Sequence, residues 1–282
     1  MFKLSSRMIF GKNILNFNKT IIMGVLNATP DSFSDGGDFF SLENAIVHAK
    51  NMVKDGADII DVGGESSKPG AKQISIEEEL KRVKPIIEKL VKEINIPISI
   101  DTYKPKVAEE CIKAGASMIN DITGLKNLKM VKVAAKYKVP VIIMHMQGEP
   151  KNMQDNPKYK DVVLDVYEFF KERIAVAKKY KIKNIILDPG IGFGKTLEGN
   201  LKLIKRLSEF SSFWLPLLVG SSRKSFIGKI NKIDNPKDRL AGSIASMTAA
   251  IINGANIVRV HDVKESKEAA QVIDAILKER LA

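Results

Sequence analysis

Short apolar runs that end on a polar residue recur along the chain, and longer stretches with a helical period lie between them. Residues 21–26 form the first full run, closing on Asn27. A continuous apolar run of this length reads as a buried strand. Beyond it Pro30 cannot donate to a sheet ladder, and Gly36 and Gly37 admit angles other residues avoid. The strand therefore releases a long polar loop. The pattern predicts further strands over 58–62, 97–101, 117–121, 139–145, 184–188, 215–220 and 257–261. Helices are predicted over about 41–55, 75–93, 105–114, 128–137, 162–179, 197–210, 239–253 and 266–280. Ser75 followed by Glu78 is a capping box, and residues 8–17 read as a small hairpin around Gly11, Lys12 and Asn13.

Eight strand–helix units in regular alternation imply a parallel sheet, and eight units close a barrel. The expected fold is α/β: a (β/α)8 TIM barrel with a short N-terminal β-hairpin. It is read as one domain over 1–282, with 1–19 as the hairpin extension. A doubly wound open sheet is disfavoured, because no G-x-G-x-x-G follows the first strand.

Strand parity then sorts the polar residues. In the third strand Ile98 and Ile100 share the face that meets the helices, so Ser99 and Asp101 point into the barrel. In the eighth, Val258 and Val260 face the helices, and Arg259 and His261 point inward. The same parity turns Asn120 and Asp188 inward, and Asn27 also ends a strand. So many polar groups at one mouth need partners, which marks a binding site at the C-terminal end of the barrel. Asp101, Asn120 and Asp188 suit a planar ring with several N–H donors and a carbonyl, such as a pterin or a guanine. Arg259 and His261, with Asn27, suit a diphosphate through charge-assisted bonds. Lys224 can reach either patch, and residues 221–225 open a short helix whose N-terminus suits an anion. The loop from Gly190 to Gly194 reads equally as a tight turn or a phosphate cradle.

Composition adds limits rather than function. Of 282 residues, 44% are hydrophobic and 28% charged, as in ordinary globular proteins. The net charge of +12, from 45 basic and 33 acidic residues, raises a nucleic-acid partner as a rival reading. No run of like charges supports one, and most lysines fall on helical faces. Cys111 is the single cysteine, in an apolar helical pattern that makes it a core residue and excludes an intrachain disulfide. No segment reaches the roughly 20 apolar residues of a membrane span, and residues 1–19 lack a signal-type apolar core. A reducing cytoplasm is the expected compartment.

Seven stretches carry a family resemblance: Met23-Gly-Val-Leu-Asn-Ala-Thr-Pro-Asp-Ser-Phe-Ser-Asp-Gly-Gly37, Asp61-Val-Gly-Gly-Glu-Ser-Ser-Lys-Pro-Gly70, Ser99-Ile-Asp-Thr102, Ile119-Asn-Asp-Ile122, Asp188-Pro-Gly-Ile-Gly-Phe-Gly-Lys195, Ser222-Arg-Lys-Ser-Phe-Ile-Gly228 and Val258-Arg-Val-His-Asp-Val263. The chain resembles the bacterial dihydropteroate synthase family of pterin-binding TIM barrels. The resemblance implies condensation of 6-hydroxymethyl-7,8-dihydropterin diphosphate with p-aminobenzoate, giving dihydropteroate and pyrophosphate in folate synthesis. It implies that Asp101, Asn120, Asp188 and Lys224 hold the pterin, with Met144 on the ring. Asn27, Arg259 and His261 would hold the diphosphate, with Mg2+ on Asn27 and Asp35. Phe33, Ser67, Pro69, Phe193 and Ser225 would shape the p-aminobenzoate pocket, where sulfonamides compete. A homodimer is implied, with residues 241–251 as a candidate interface. One departure stands out: Ser67-Lys68 replaces the Thr-Arg frequent in the family, and lysine cannot make a planar bidentate contact.

The aryl amine is a weak nucleophile, so the resemblance implies catalysis at the leaving group, by SN1-like loss of pyrophosphate. Arg259, His261 and Mg2+ would stabilise the charge on pyrophosphate, and Asp35 would shield the methylene cation. A pterin-barrel methyltransferase using methyltetrahydrofolate is the alternative. It would share the pterin patch, but it has no need of Arg259 with His261.

Overall fold

The computed structural model describes residues 7–28, 37–66 and 70–279. Its hairpin pairs β1 (Arg7–Phe10) with β2 (Asn13–Asn16). The barrel strands are β3 (Ile21–Asn27), β4 (Ile59–Gly63), β5 (Ile98–Asp101), β6 (Met118–Asp121), β7 (Val141–Met144), β8 (Ile185–Asp188), β9 (Leu218–Val219) and β10 (Ile257–Val260). The intervening helices are α1 (Gly37–Lys54), α2 (Ile76–Glu93), α3 (Pro105–Lys113), α4 (Leu128–Tyr137), α5 (Val162–Lys179), α6 (Leu197–Lys205), α7 (Ser225–Asn231) and α8 (Leu240–Ile252), and α9 (Val263–Lys278) follows β10. The eight strands form one parallel sheet in the order β8-β7-β6-β5-β4-β3-β10-β9. A parallel bridge between Leu187 and Leu217 joins its two ends.

The expected TIM barrel is therefore present, and strand parity divides its core into two layers. Residues on the outward face, such as Ile98, Ile100, Val258 and Val260, pack with the helices in the larger cluster. Residues on the inward face near the strand starts, including Met23, Ile59, Met118, Ile142, Ile186 and Ile257, form a separate apolar plug. Met8 and Phe10 of the hairpin belong to that plug, Phe10 with no exposed surface. Burying a phenylalanine so completely contributes about 2 kcal/mol. The hairpin thus seals the N-terminal end of the barrel and leaves the opposite mouth for chemistry.

Local signals start four of the helices where expected. Ser75 Oγ accepts from Glu78 N–H at 3.1 Å, and Asn127, Asp161 and Thr196 cap α4, α5 and α6. Several boundaries differ: α1 begins at Gly37 rather than about 41, and the strand expected over 139–145 is Val141–Met144. The expected strand over 215–220 shrinks to Leu218–Val219, because Pro216 has no N–H to give a neighbour. The expected helix over 197–210 ends at Lys205 and continues as a 3-10 helix, Leu207–Phe213, rich in serine. The last helix begins at Val263 rather than Ser266.

Candidate active site

Neighbouring strand ends put the polar residues at one height. Asn27 is in register with Gly63, Gly63 with Asp101, and Asp101 with Asn120. Above the apolar plug the inward side chains turn polar, as parity predicted. Arg259 crosses the mouth. Its Nε donates to Asp61 at 2.6 Å and its Nη2 to Asp101 at 2.7 Å. Asn120 Nδ2 donates to the same Asp61 oxygen at 3.0 Å. Asp61 is fully buried, and its Oδ1 has no partner among the described residues.

This arrangement revises two readings. The sequence separated a ring patch from an anion patch, whereas Arg259 ties them together through two carboxylates. Asp61 was also missed as a site residue. It shares the inward face of β4 with Ile59, so the parity argument applied to that strand points straight to it.

The electrostatics follow from burying this many charges. Burial, opposed by Arg259 and reinforced by Asp61, pushes the Asp101 carboxyl up to about 7. Burial also raises Asp188 to about 6, against a hydrogen bond from Gly190 N–H at 2.7 Å and the charge of Lys224. Burial works against the charge on Arg259, but Asp61 and Asp101 outweigh it and hold the guanidinium firmly ionised. Burial and Arg259 push Lys224 down to about 8, against the pull of Asp188 and Asp101. His261 is pushed down to about 3, by burial first and then by Arg259 and Arg223. It is therefore a neutral imidazole whose Nδ1 lies 3.0 Å from Ser222 Oγ. The charge of the expected anion patch rests on Arg259, with His261 a neutral partner.

An apolar wall stands beside this network. Met144 and Phe193 are buried with Ile122, Met146 and Met153, and Tyr103 packs against them. The Lys224 ammonium sits 3.9 Å from the centre of the Phe193 ring. Lys224 precedes α7, and Ser225, its first residue, is exposed. A flat ring can be gripped at its edge by the carboxylates and Asn120 and covered on its face by Met144. Phe33, Asp35, Ser67 and Pro69 lie outside the described residues.

The glycine loop resolves in favour of a tight turn. Gly190, Gly192 and Gly194 all take positive φ, and a Cβ on Gly190 would lie 2.0 Å from the His145 carbonyl oxygen. Nor does that loop stand alone. Lys195, 3% exposed, places its Nζ 3.0 Å from His145 Nδ1, 3.0 Å from His145 O and 2.9 Å from Phe193 O. Burial pushes that ammonium well below its ordinary value, against Asp188 and with help from Lys224. It pushes His145 down to about 2, with Lys195 and Lys126 adding to the effect. This buried pair was not legible beforehand, because its contacts are to main-chain carbonyls far apart in sequence.

Comparison with known proteins gives a consistent result. Residues 23–261 match the family described as pterin binding enzyme. The dihydropteroate synthase of Escherichia coli strain K12 is 50% identical over 265 residues, which cover 93% of this chain and 94% of that protein. Among solved structures, the Yersinia pestis dihydropteroate synthase with a sulfonamide drug complex superimposes with a TM-score of 0.92. It is 44% identical, over 96% of this chain and 99% of that one. The Xanthomonas albilineans dihydropteroate synthase with 4-aminobenzoic acid also gives 0.92, at 41% identity over 97% and 98% of the two chains.

Proposed function

This chain belongs to the pterin-binding enzymes and, among them, to the dihydropteroate synthases, and on that premise we propose which of its residues do what. The enzyme is a transferase. It condenses 6-hydroxymethyl-7,8-dihydropterin diphosphate with p-aminobenzoate and releases pyrophosphate. The carbon–oxygen bond of the pterin methylene breaks and its electron pair leaves with pyrophosphate. The amine lone pair forms the carbon–nitrogen bond, and one amine proton is lost.

In our reading Asp101, Asn120 and Asp188 meet the pterin edge, with Asp61 holding the Asn120 amide in place. Met144 covers the ring, and Lys224 lies between the pterin and Phe193. Arg259, His261 and Asn27 take the diphosphate. To do so Arg259 exchanges part of its hold on Asp101 for phosphate oxygens, and Asp101 is freed for the ring N–H groups. Phe193 and Ser225, with Phe33, Ser67 and Pro69, border the p-aminobenzoate. The single observation that carries this reading is the convergence of Asp61 and Asp101 on Arg259 at one mouth, with Asn120 bonded to the same Asp61 oxygen. With a poor nucleophile, that arrangement is best used to stabilise the departing pyrophosphate, which favours an SN1-like path.

Mg2+ is part of the proposal. Asn27 and Asp35 are oxygen donors, as a hard cation requires, and Asn27 ends β3 at the mouth. Among the described residues no group of three or more His, Cys, Asp or Glu could hold a metal alone. Charge neutralisation on the diphosphate is the chemistry Mg2+ would supply. We also propose a homodimer and a cytoplasmic location. Packing of α8 on α9 leaves Ile252, Val272 and Ile276 more than half exposed, which supports association. No helix among the described residues is long and apolar enough to cross a membrane.

Calorimetric titration with 6-hydroxymethyl-7,8-dihydropterin tests the site assignment. Asp188→Ala is expected to weaken binding by at least 100-fold. Unchanged affinity would remove Asp188 from the pterin site.

A further inference from the structure

Three carbonyl oxygens of the loop from Gly190 to Gly194 accept side-chain hydrogen bonds, each from a different residue. Gly192 O accepts from Gln154 Nε2 at 2.8 Å, and Gly194 O accepts from Tyr159 Oη at 2.6 Å. Phe193 O accepts from Lys195 Nζ at 2.9 Å. The last differs from the others in two ways. Lys195 is buried, and the same nitrogen also reaches the main chain and the ring of His145. It therefore joins the exits of β7 and β8, which carry Met144 and Phe193 respectively.

The three contacts are stoichiometrically complete. Both carbonyl oxygens must accept, so two N–H bonds of Lys195 are committed. The third position of the nitrogen faces His145 Nδ1, either as a donor or, in the neutral amine, as a lone pair accepting Nδ1–H. Burial favours the neutral amine. His145 is in turn braced edge-on by Phe169, with ring centres 4.9 Å apart. On the other side, the Phe193 ring carries the Lys224 ammonium on its face.

We propose that Lys195 is a positioning residue for the condensation: it fixes the Phe193 backbone against His145 and so sets the ring that borders p-aminobenzoate and seats Lys224. The inference rests on the pocket assignment above for Phe193. It predicts a larger effect on the arylamine half of the site than on the edge of the pterin, because Arg259 holds Asp61 and Asp101, and Asp61 holds Asn120, without Lys195.

The experiment is a double-mutant cycle of Lys195→Met and Phe193→Ala, each assayed for kcat and for the KM of both substrates, with pterin affinity measured directly. Lys195→Met is expected to raise the KM for p-aminobenzoate at least tenfold and to change pterin affinity less than threefold. Its effect should largely vanish in the Phe193→Ala background, since residues acting through one another are not additive. Equal losses for both substrates, or additive effects with Phe193→Ala, would overturn the proposal and leave Lys195 a stabilising residue. If Phe193→Ala alone leaves the p-aminobenzoate KM unchanged, the pocket assignment fails and the inference falls with it. Lys195→Gln carries its nitrogen one bond closer to the backbone than lysine does, and it is read by the same criteria if the methionine variant does not fold.

Discussion

Replacing Asp188 by asparagine should stabilise the protein at pH 8 while impairing pterin binding. Asp188 is 6% exposed, and its carboxyl is raised from 3.8 to about 6. The attractions of Lys224, Lys195 and Arg259 already oppose that rise. Between those two pH values the native state binds more protons than the unfolded state, so stability falls as pH rises. Above both, holding the buried carboxylate costs about 3 kcal/mol. Asparagine is uncharged at every pH, and its Oδ1 can still accept from Gly190 N–H. The variant should therefore gain up to about 3 kcal/mol at pH 8, roughly 5 °C or more in Tm for a chain of this size. At pH 5 most native molecules already hold the proton, and the gain should shrink to about half. Urea denaturation of both proteins at pH 5 and pH 8 reads this directly. A variant less stable than the wild type at pH 8, or a gain independent of pH, would refute the reasoning.

Three further outcomes follow from the same network. Arg259→Met leaves Asp61 and Asp101 buried without their cation and should destabilise by about 3–5 kcal/mol at pH 8. Urea denaturation should show a smaller loss at pH 5, where Asp101 takes up a proton. Gly190→Ala combines a left-handed backbone with a Cβ 2.0 Å from the His145 carbonyl oxygen; urea denaturation should show a loss of more than about 2 kcal/mol. The pH profile of kcat/KM for the pterin diphosphate should be bell-shaped, as a steady-state series will check. Its acid side should fall near 6 to 7 as Asp188 and Asp101 take protons, and its basic side near 8 as Lys224 loses one.

Much of this site was legible because a strand has a period of two. Ile98 and Ile100 told where the helices lie, and that alone aimed Asp101 inward. The same reasoning found Asn120, Asp188 and Arg259. Asp61 was missed because it stands inside the apolar run of β4 rather than at the strand's end. Other features lay beyond sequence patterning. Lys195 and His145 meet through main-chain carbonyls of two loops, and no periodicity encodes that approach. Parity turns His261 toward the mouth, but its neutrality depends on burial beside Arg259 and Arg223. The hairpin was visible as a hairpin, yet its role as the seal of the barrel needed the positions of Met8 and Phe10 against Met23 and Ile257. Short β9 shows the opposite limit, since apolar content over 215–220 suggested a longer ladder than Pro216 permits.

The most direct test is pyrophosphate release from 6-hydroxymethyl-7,8-dihydropterin diphosphate in Mg2+, measured with and without p-aminobenzoate. Our account predicts release that depends on p-aminobenzoate and matches dihydropteroate formation mole for mole. Tight binding of the pterin with no release under either condition would contradict it.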